Sequence, residues 1–170
     1  QAEVLTLRGF AALGLKKAGE GRASFEQALT QQPEFSEALL GLASLAAGAK
    51  KMDEAGSLIE RAIASAPKSV EAWMMKGDLL RIKNDVPGAM AAYQKVMEIK
   101  PDNIPSRLHL SSLLLAGGKV DDARAQVAQA RKIAPNNVLA VHMQGLVDYQ
   151  ARNYTAARES VQKVLKAAPD

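Results

Sequence analysis

EIKPDN, residues 98–103, contains the proline that decides how the whole chain is organised. Counting in steps of 34 residues from Pro101 in either direction reaches another proline each time, and the series comprises Pro33, Pro67, Pro101, Pro135 and Pro169. A proline lacks the backbone N–H and its ring clashes with the preceding helical turn, so a helix ends there. The spacing therefore predicts five units of 34 residues, each closed by a proline.

Each unit contains two stretches of helical periodicity. In the second unit Leu39, Leu42 and Ala46 lie on one face of a helix, and after a break Ala55 and Ile59 repeat that spacing. A single helix pair cannot bury its apolar face alone, whereas stacked pairs form one continuous core. The pattern predicts an all-α protein of five helix–turn–helix repeats that stack as an α-α superhelix, which is a solenoid.

Turn and capping residues separate the predicted helices. Gly48 predicts the end of a first helix, and Asp53 predicts the N-cap of the second helix that follows. Pro87 fills the same slot in the third unit and suits a first helical turn. The residues predicted to cap at this slot in the last two units are Asp121 and Thr155. After the periodic prolines, PDN and PNN predict a turn and the cap of the next first helix.

These features resemble the tetratricopeptide repeat (TPR) family, whose pattern runs W-x2-L-G-x2-Y, A-x3-F and P. The third unit has Trp73, Lys76, Gly77, Leu80, Ala89, Tyr93 and Pro101 at these places, and it departs from the pattern at Lys76, where the family prefers leucine. The resemblance implies a single TPR solenoid over residues 1–170, with repeats at 2–35, 36–69, 70–103, 104–137 and 138–170. Because the sequence stops where another first helix would begin, we expect it to be a fragment of a longer array.

A second resemblance concerns the last three units. EAWMMKGDLLRIKND (71–85), RLHLSSLLLAGGKVDDAR (107–124) and DYQARNYTAARESVQKVLKAAPD (148–170) are similar to stretches of a TPR-repeat lipoprotein family. That family accompanies the bacterial PEP-CTERM/exosortase exopolysaccharide system. The resemblance implies a bacterial, periplasmic or envelope-associated protein that acts in exopolysaccharide export or protein sorting.

No motif for catalysis or cofactor binding is present in the sequence. The chain has no cysteine, and its two histidines, His109 and His142, have no further ligands at a metal-binding spacing. We interpret both as polar lining of a groove. Acidic pairs such as Asp53–Glu54 suit helix N-termini, and LAGGK at 115–119 lacks the spacing of a phosphate-binding loop. We therefore expect no enzyme activity, no metal site and no cofactor.

The charge pattern argues against nucleic acid as the partner. The net charge is +4, from 22 Lys and Arg against 18 Asp and Glu, and the basic residues are spread evenly over the five units. A nucleic-acid-binding protein would be expected to gather them on one face. The sequence also lacks an apolar run long enough to cross a membrane.

The family resemblance implies a binding surface on the first helices, which line the concave wall of TPR arrays and commonly hold partners. Carried over by position, the groove residues are Thr6, Phe10, Leu13, Leu40, Ser44, Met74, Asp78, Arg81, Leu108, Ser112, Leu115, His142, Leu146 and Tyr149. Methionine and aromatic side chains suit an adaptable peptide or helix ligand. The alternative for each of these residues is a packing contact between repeats.

Two further interactions are compatible with this pattern. A polysaccharide would need stacking aromatic rings, and only Phe10 and Tyr149 among the groove residues provide them. Self-association is the other, because an isolated array usually needs a polar capping helix. Val161, Val164 and Leu165 on the last predicted helix would have no following repeat to cover them.

Overall fold

The computed structural model describes residues 1–167, and its helices repeat with the predicted period. The first helices of the repeats start at residues 2, 36, 70, 104 and 138, and the second helices start at residues 18, 52, 86, 120 and 154. The helices are α1 (Ala2–Gly14), α2 (Ala18–Gln31), α3 (Ser36–Gly48), α4 (Met52–Ser65), α5 (Val70–Ile82), α6 (Val86–Ile99), α7 (Ile104–Ala116), α8 (Val120–Ile133), α9 (Val138–Gln150) and α10 (Tyr154–Ala167).

The all-α fold of five helix–turn–helix repeats is thereby confirmed. Residues 1–167 contain no β-strand. Each predicted pair of helical stretches corresponds to one pair of observed helices. The last proline of the series, Pro169, lies outside the described residues.

The turn inside each repeat is built by the backbone. One residue per turn has a φ between +60° and +74°, and these residues are Lys16, Lys50, Asn84, Gly118 and Arg152. In the second repeat the N–H of Lys50 donates to the carbonyl of Ala47 at 2.9 Å, and the N–H of Lys51 donates to that of Ala46 at 2.9 Å. This pair of bonds is the Schellman motif, which closes a helix through a left-handed residue.

The predicted caps of the second helices were wrong. Helix α4 begins at Met52, so Lys51 is its N-cap residue and Asp53 already lies in its first turn. The Schellman motif of the preceding helix sets the turn length and places the cap two residues before the predicted slot. Two other second helices do have a capping side chain at the residue just before the helix. Before α6, Asp85 accepts a hydrogen bond from the N–H of Gly88 at 3.0 Å, and before α10, Asn153 accepts one from the N–H of Ala156 at 3.5 Å.

The same correction applies in the last two repeats. Asp121 lies in the first turn of α8, whose N-cap is Lys119. Thr155 likewise follows the first residue of α10. Pro87 occupies the first turn of α6, as predicted.

The predicted caps of the first helices are confirmed. The side chains of Asn103 and Asn137 each accept a hydrogen bond, at 2.9 Å, from the backbone N–H three residues later. Ser69 does the same before α5, at 3.1 Å. These bonds satisfy one of the N–H groups that lack a partner at a helix start.

The chain divides into two compact units within α6, residues 1–89 and residues 90–170. In the first unit the ring of Phe25 is fully buried and occupies the space left by Gly9 and Gly41. A Cβ atom at Gly9 would lie 2.4 Å from this ring, and one at Gly41 would lie 2.5 Å from it. A second cluster, built around Leu39, Ile59 and the alanines beside them, completes this core.

The second unit has its own core between α6, α7, α8 and α9. The buried ring of Tyr93 stacks on His109, with centroids 5.1 Å apart and planes 15° apart. Leu108, Ala130 and Ala140 form a cluster on which Ile104 and Met143 pack. Among the helices of residues 1–167, none is long and apolar enough to cross a membrane.

Candidate functional site

A cleft of about 620 Å³ opens in the second unit, between the first helices α7 and α9. Its wall combines apolar side chains with polar residues from the turns that precede these two helices. The residues that line this α7–α9 cleft are Lys100, Asp102, Asn103, Ile104, Pro105, Leu108, His109, Ser112, Asn137, Leu139, His142 and Met143. An apolar surface with a few polar groups at its edge is the usual makeup of a ligand site.

Hydrogen bonds to the backbone fix the two turns at the edge of the cleft. The caps made by Asn103 and Asn137 hold each turn on the start of its helix. The guanidinium of Arg107 also donates to the carbonyl of Pro101 at 2.7 Å, which ties the turn before α7 to the body of that helix. The polar rim is therefore preorganised, and a ligand would not have to order it.

Apolar contact is the larger contribution that this cleft can make to binding. Leu139 is 68% exposed at the start of α9, and burying a leucine completely stabilises a complex by about 1.5–3 kcal/mol. The charged rim residues Lys100 and Asp102 are exposed and of opposite sign. An exposed ion pair contributes about 0–1 kcal/mol. The cleft therefore favours a ligand for its apolar groups more than for its net charge.

Both histidines of the chain border this cleft. His109 is half-buried against Tyr93, and His142 is exposed on α9. An imidazole can donate or accept a hydrogen bond to a ligand. Within residues 1–167 no group of three or more His, Cys, Asp or Glu side chains is placed to hold a metal ion.

A second surface lies on α9 and α10 and shares His142 with the cleft. This α9–α10 face has a concavity of about 520 Å³, lined by His142, Gly145, Leu146, Tyr149, Tyr154, Ala157, Arg158 and Val161. The exposed rings of Tyr149 and Tyr154 make an edge contact, with centroids 5.7 Å apart. The face is apolar except for His142, Arg158 and the two tyrosine hydroxyls.

The structure brings several of the predicted groove residues of the second unit together. Leu108, Ser112 and His142 line the α7–α9 cleft. His142 also joins Leu146 and Tyr149 on the α9–α10 face. Leu115 is buried and lines neither surface. Leu108 is nearly buried as well, so it forms the floor of the cleft.

The predicted groove residues of the first unit differ widely in exposure. Thr6 and Leu40 are buried, and Leu13 packs on the core around Phe25. Phe10 is partly exposed and meets Phe25 edge-on at 5.1 Å. The exposed or half-buried members are Ser44, Met74, Asp78 and Arg81, and the last two lie one helical turn apart with their charged groups 4.0 Å from each other. Their contact with a partner stays a prediction.

Sequence reasoning missed the residues at the start of α9 and on α10. Leu139 occupies a position that holds Glu3, Glu37 and Glu71 in the first three repeats. In the fourth repeat the same position holds Pro105. The loss of the glutamate in two consecutive repeats is the signal that could have located the apolar cleft. Tyr154 and Arg158 were missed because only first helices were considered.

The paired helices, their period and their buried small residues define a tetratricopeptide repeat protein. Residues 23–170 match the family described as the cytochrome c-type biogenesis protein H TPR domain, and the chain belongs to this family. Repeat arrays of this class present extended binding surfaces, which supports a protein–protein interaction scaffold as the general role. No sequence match was found among the curated proteins.

Solved structures with the same fold share little sequence with this chain. The protein pilF of Pseudomonas aeruginosa superposes with a TM-score of 0.89 at 15% identity, over 99% of this chain and 77% of its own. MamA from Desulfovibrio magneticus RS-1 gives 0.80 at 14% identity, over 97% and 93%. YrrB, described as a TPR protein with an unusual peptide-binding site, gives 0.72 at 19% identity, over 95% and 84%.

Proposed function

We propose that this chain is a non-catalytic scaffold that binds a peptide or helical segment of a partner protein in the α7–α9 cleft. The observation that carries the proposal is the cleft itself, which has an apolar floor on two consecutive first helices and a rim of fixed polar turns. A segment with apolar anchors on one side and polar groups on the other matches this arrangement.

The roles of the cleft residues follow from their burial and chemistry. Leu139 and Met143 supply the apolar contact area, over a floor formed by Leu108. The flexible thioether of Met143 lets the floor adjust to more than one side chain. Ser112 and His142 are exposed beside them and can hydrogen-bond to the backbone of the bound segment.

Two likenesses support a choice of candidate partners. The family to which the chain belongs is named for the biogenesis of c-type cytochromes. The last three repeats also resemble the lipoproteins of the PEP-CTERM/exosortase exopolysaccharide system. Proteins of these two assemblies, in a bacterial envelope, are the partners to test first. The exposed groove residues of the first unit, including Met74 and Asp78, would offer this class of partner a further contact surface.

A polysaccharide is the second candidate, and one observation favours it. Tyr149 and Tyr154 expose a pair of aromatic rings on the α9–α10 face. Such rings can stack on sugars, and the hydroxyl groups beside them can hydrogen-bond. This site differs from the α7–α9 cleft, so variants can distinguish the two candidates.

The test begins with selection of phage-displayed random peptides against the intact chain. The affinities of the selected peptides are then measured by fluorescence anisotropy for the wild type, Leu139→Glu and Met143→Glu. Leu15→Glu is the matched control, because Leu15 is 70% exposed, close to the 68% of Leu139, and lies in the other unit. Circular dichroism establishes that each variant is folded.

We expect both cleft variants to weaken binding by about tenfold or more, since each removes apolar contact and buries a charge. The control should bind like the wild type. Equal affinity in all four proteins would overturn the peptide-binding role of the cleft. The polysaccharide candidate is tested by affinity electrophoresis in gels that contain dextran or alginate. If the polysaccharide retards the wild type but not Tyr149→Ala, and no peptide binds, the polysaccharide candidate would be established instead.

A further inference from the structure

The turns inside the repeats of the first unit gather lysine along one edge of that unit. These turns comprise residues 14–17, 48–51 and 82–85, and every residue in them is exposed. Their one acidic residue is Asp85, whose carboxylate caps α6. The lysines of the three turns are Lys16, Lys17, Lys50, Lys51 and Lys83. We call this surface the basic turn edge.

Two ion pairs show that the three turns lie side by side. Arg22 on α2 pairs with Glu54 in the first turn of α4, at 3.6 Å. Lys83 in the third turn pairs with Asp53 on the same helix α4, at 2.7 Å. Because these contacts join consecutive repeats at the starts of the second helices, the basic turn edge is a continuous row.

Two of the lysines keep an unpaired charge. Lys17 and Lys51 each form an ion pair with the glutamate three residues later, at 3.0 Å and 3.3 Å. Lys16 and Lys50 occupy the left-handed position of their turns, and neither forms an ion pair with any residue that the structure describes. The edge therefore offers ammonium groups on two neighbouring repeats to an anionic partner.

Aliphatic side chains lie among these lysines. Leu15 is 70% exposed next to Lys16, and Ile82 is 56% exposed next to Lys83. The residues equivalent to Leu15 in the other four repeats are also exposed, and they are Ala49, Lys83, Gly117 and Ala151. The exposure of Leu15 therefore belongs to the turn and does not depend on which repeat lies beside it.

We propose that the basic turn edge docks on the surface of a bilayer that contains anionic lipids. Lys16 and Lys50 contact the headgroup phosphates, and Leu15 and Ile82 enter the boundary between headgroups and acyl chains. Basic and aliphatic side chains on one surface bind anionic bilayers by combining electrostatic attraction with apolar burial. The long stem of lysine also keeps its ammonium group at the level of the phosphates while its carbons contact apolar groups.

The composition of the edge favours a bilayer over nucleic acid. Proteins that bind single strands stack the bases on aromatic rings and use arginine beside them, and the three turns contain neither residue type. A phosphate backbone would also leave Leu15 and Ile82 without a role. The turns of the second unit, residues 116–119 and 150–153, have one basic residue each and no leucine, isoleucine or valine. The proposed docking surface is therefore confined to the first unit.

Vesicle co-sedimentation with the whole chain tests the charge contribution. The probes are phosphatidylcholine vesicles with and without phosphatidylglycerol, at low and high salt. Lys16→Gln/Lys50→Gln is compared with Lys68→Gln/Lys132→Gln, which removes the same charge from exposed positions outside the basic turn edge. We expect the wild type and the control to bind only the anionic vesicles, and more weakly at high salt. The edge variant should bind about tenfold or more weakly than either.

Position 15 provides a direct test of apolar contact. Leu15→Ser should weaken binding to anionic vesicles by about fivefold or more, because it removes apolar area that the bilayer buries. The chain has no cysteine, so Leu15→Cys accepts a single nitrobenzoxadiazole label. Its emission should rise and shift to the blue on anionic vesicles, whereas the same label on Lys132→Cys should not change. Circular dichroism establishes that each variant is folded.

Several results would overturn the proposal. They are no binding of the wild type to anionic vesicles at low salt, equal loss of binding in the two double variants, and a label at position 15 that stays in water while the protein is bound. Tighter binding to a short DNA duplex than to vesicles, unaffected by Leu15→Ser in fluorescence anisotropy, would assign the edge to nucleic acid instead. None of these outcomes depends on peptide binding in the α7–α9 cleft.

Discussion

The carboxylate of Asp53 lies 2.7 Å from the ammonium group of Lys83, and the two side chains join α4 of the second repeat to α5 of the third. The hydrogen bond from Lys83, followed by its positive charge, lowers the pKa of Asp53 below the ordinary carboxyl value. Asp53 is exposed, so the solvent screens this interaction strongly. The pair therefore reports the packing of α5 on α4 more than it stabilises that packing.

Replacing Lys83 should raise the pKa of Asp53. In Lys83→Met the carboxylate loses both its donor and the nearby charge, so its pKa should return toward the ordinary value of about 3.9. An NMR titration of the Asp53 carboxyl carbon measures the change, with Lys95→Met as a control that leaves the pair intact. An unchanged titration in Lys83→Met would show that the pair is not formed in solution.

The same pair gives stability a defined dependence on pH. Because the pKa of Asp53 is lower in the folded chain than in the unfolded chain, the unfolded chain binds its proton first as the pH falls. The stabilisation is complete above the ordinary carboxyl pKa and is lost as the pH falls through the folded-state value. The difference in free energy of unfolding between wild type and Lys83→Met should therefore shrink at acidic pH, as measured by urea denaturation.

Glycine at position 50 should stabilise the protein. Lys50 has a φ of +60°, which costs a non-glycine residue about 1–2 kcal/mol, whereas glycine loses about 0.5–1 kcal/mol in chain entropy. Lys50→Gly should raise the free energy of unfolding by about 0.5–1 kcal/mol in chemical denaturation. Lys50→Ala removes the same side chain without relieving the backbone, and it should give no gain. Equal effects of the two variants would contradict this explanation.

A methyl group at position 41 should destabilise the core of the first unit. The Cβ atom of Gly41→Ala would lie 2.5 Å from the ring of Phe25, which Gly9 already bounds on another side. Such overpacking costs about 1–3 kcal/mol, which thermal unfolding can resolve. Phe25→Leu in the same chain should recover part of the loss. Gly48→Ala is the control, since no neighbouring atom lies within 4 Å of its Cβ position.

Loss of the Asn137 cap should affect both stability and the candidate site. Asn137→Ala should lower the free energy of unfolding by about 1 kcal/mol, because the first N–H groups of α9 lose an acceptor. The neighbouring exposed residue provides the control variant, Asn136→Ala. Hydrogen exchange should become faster at the start of α9, which carries Leu139. Equal stability of the two variants would show that the cap contributes nothing measurable.

The periodic features of the fold could be predicted from the sequence because they depend on backbone chemistry that few residues can supply. A proline that follows a helical stretch prevents the helix from continuing, and Asn103 and Asn137 combine a turn with a cap. The position of the second-helix caps could not be predicted in the same way. It depends on a left-handed residue in each turn, and lysine at position 50 gives no sign of that conformation.

The candidate site was harder to predict because one helix position can face either a ligand or the next repeat. Leu40 and Leu108 were both placed on the groove by position, and both are buried, but only Leu108 lines the α7–α9 cleft. Leu139 lies outside the positions that the family comparison uses, and its 68% exposure depends on how the neighbouring helices pack around it. Only coordinates provide that information.

Each Schellman turn is specified by main-chain atoms, and its residues point their side chains into water. The residue at the left-handed position can therefore be lysine, arginine or asparagine while the backbone of the turn stays the same. The five turns of this chain already carry Lys16, Lys50, Asn84, Gly118 and Arg152 in one backbone shape. The charge that each turn presents to the solvent can thus differ from repeat to repeat while the two helices that it joins keep the same bounds.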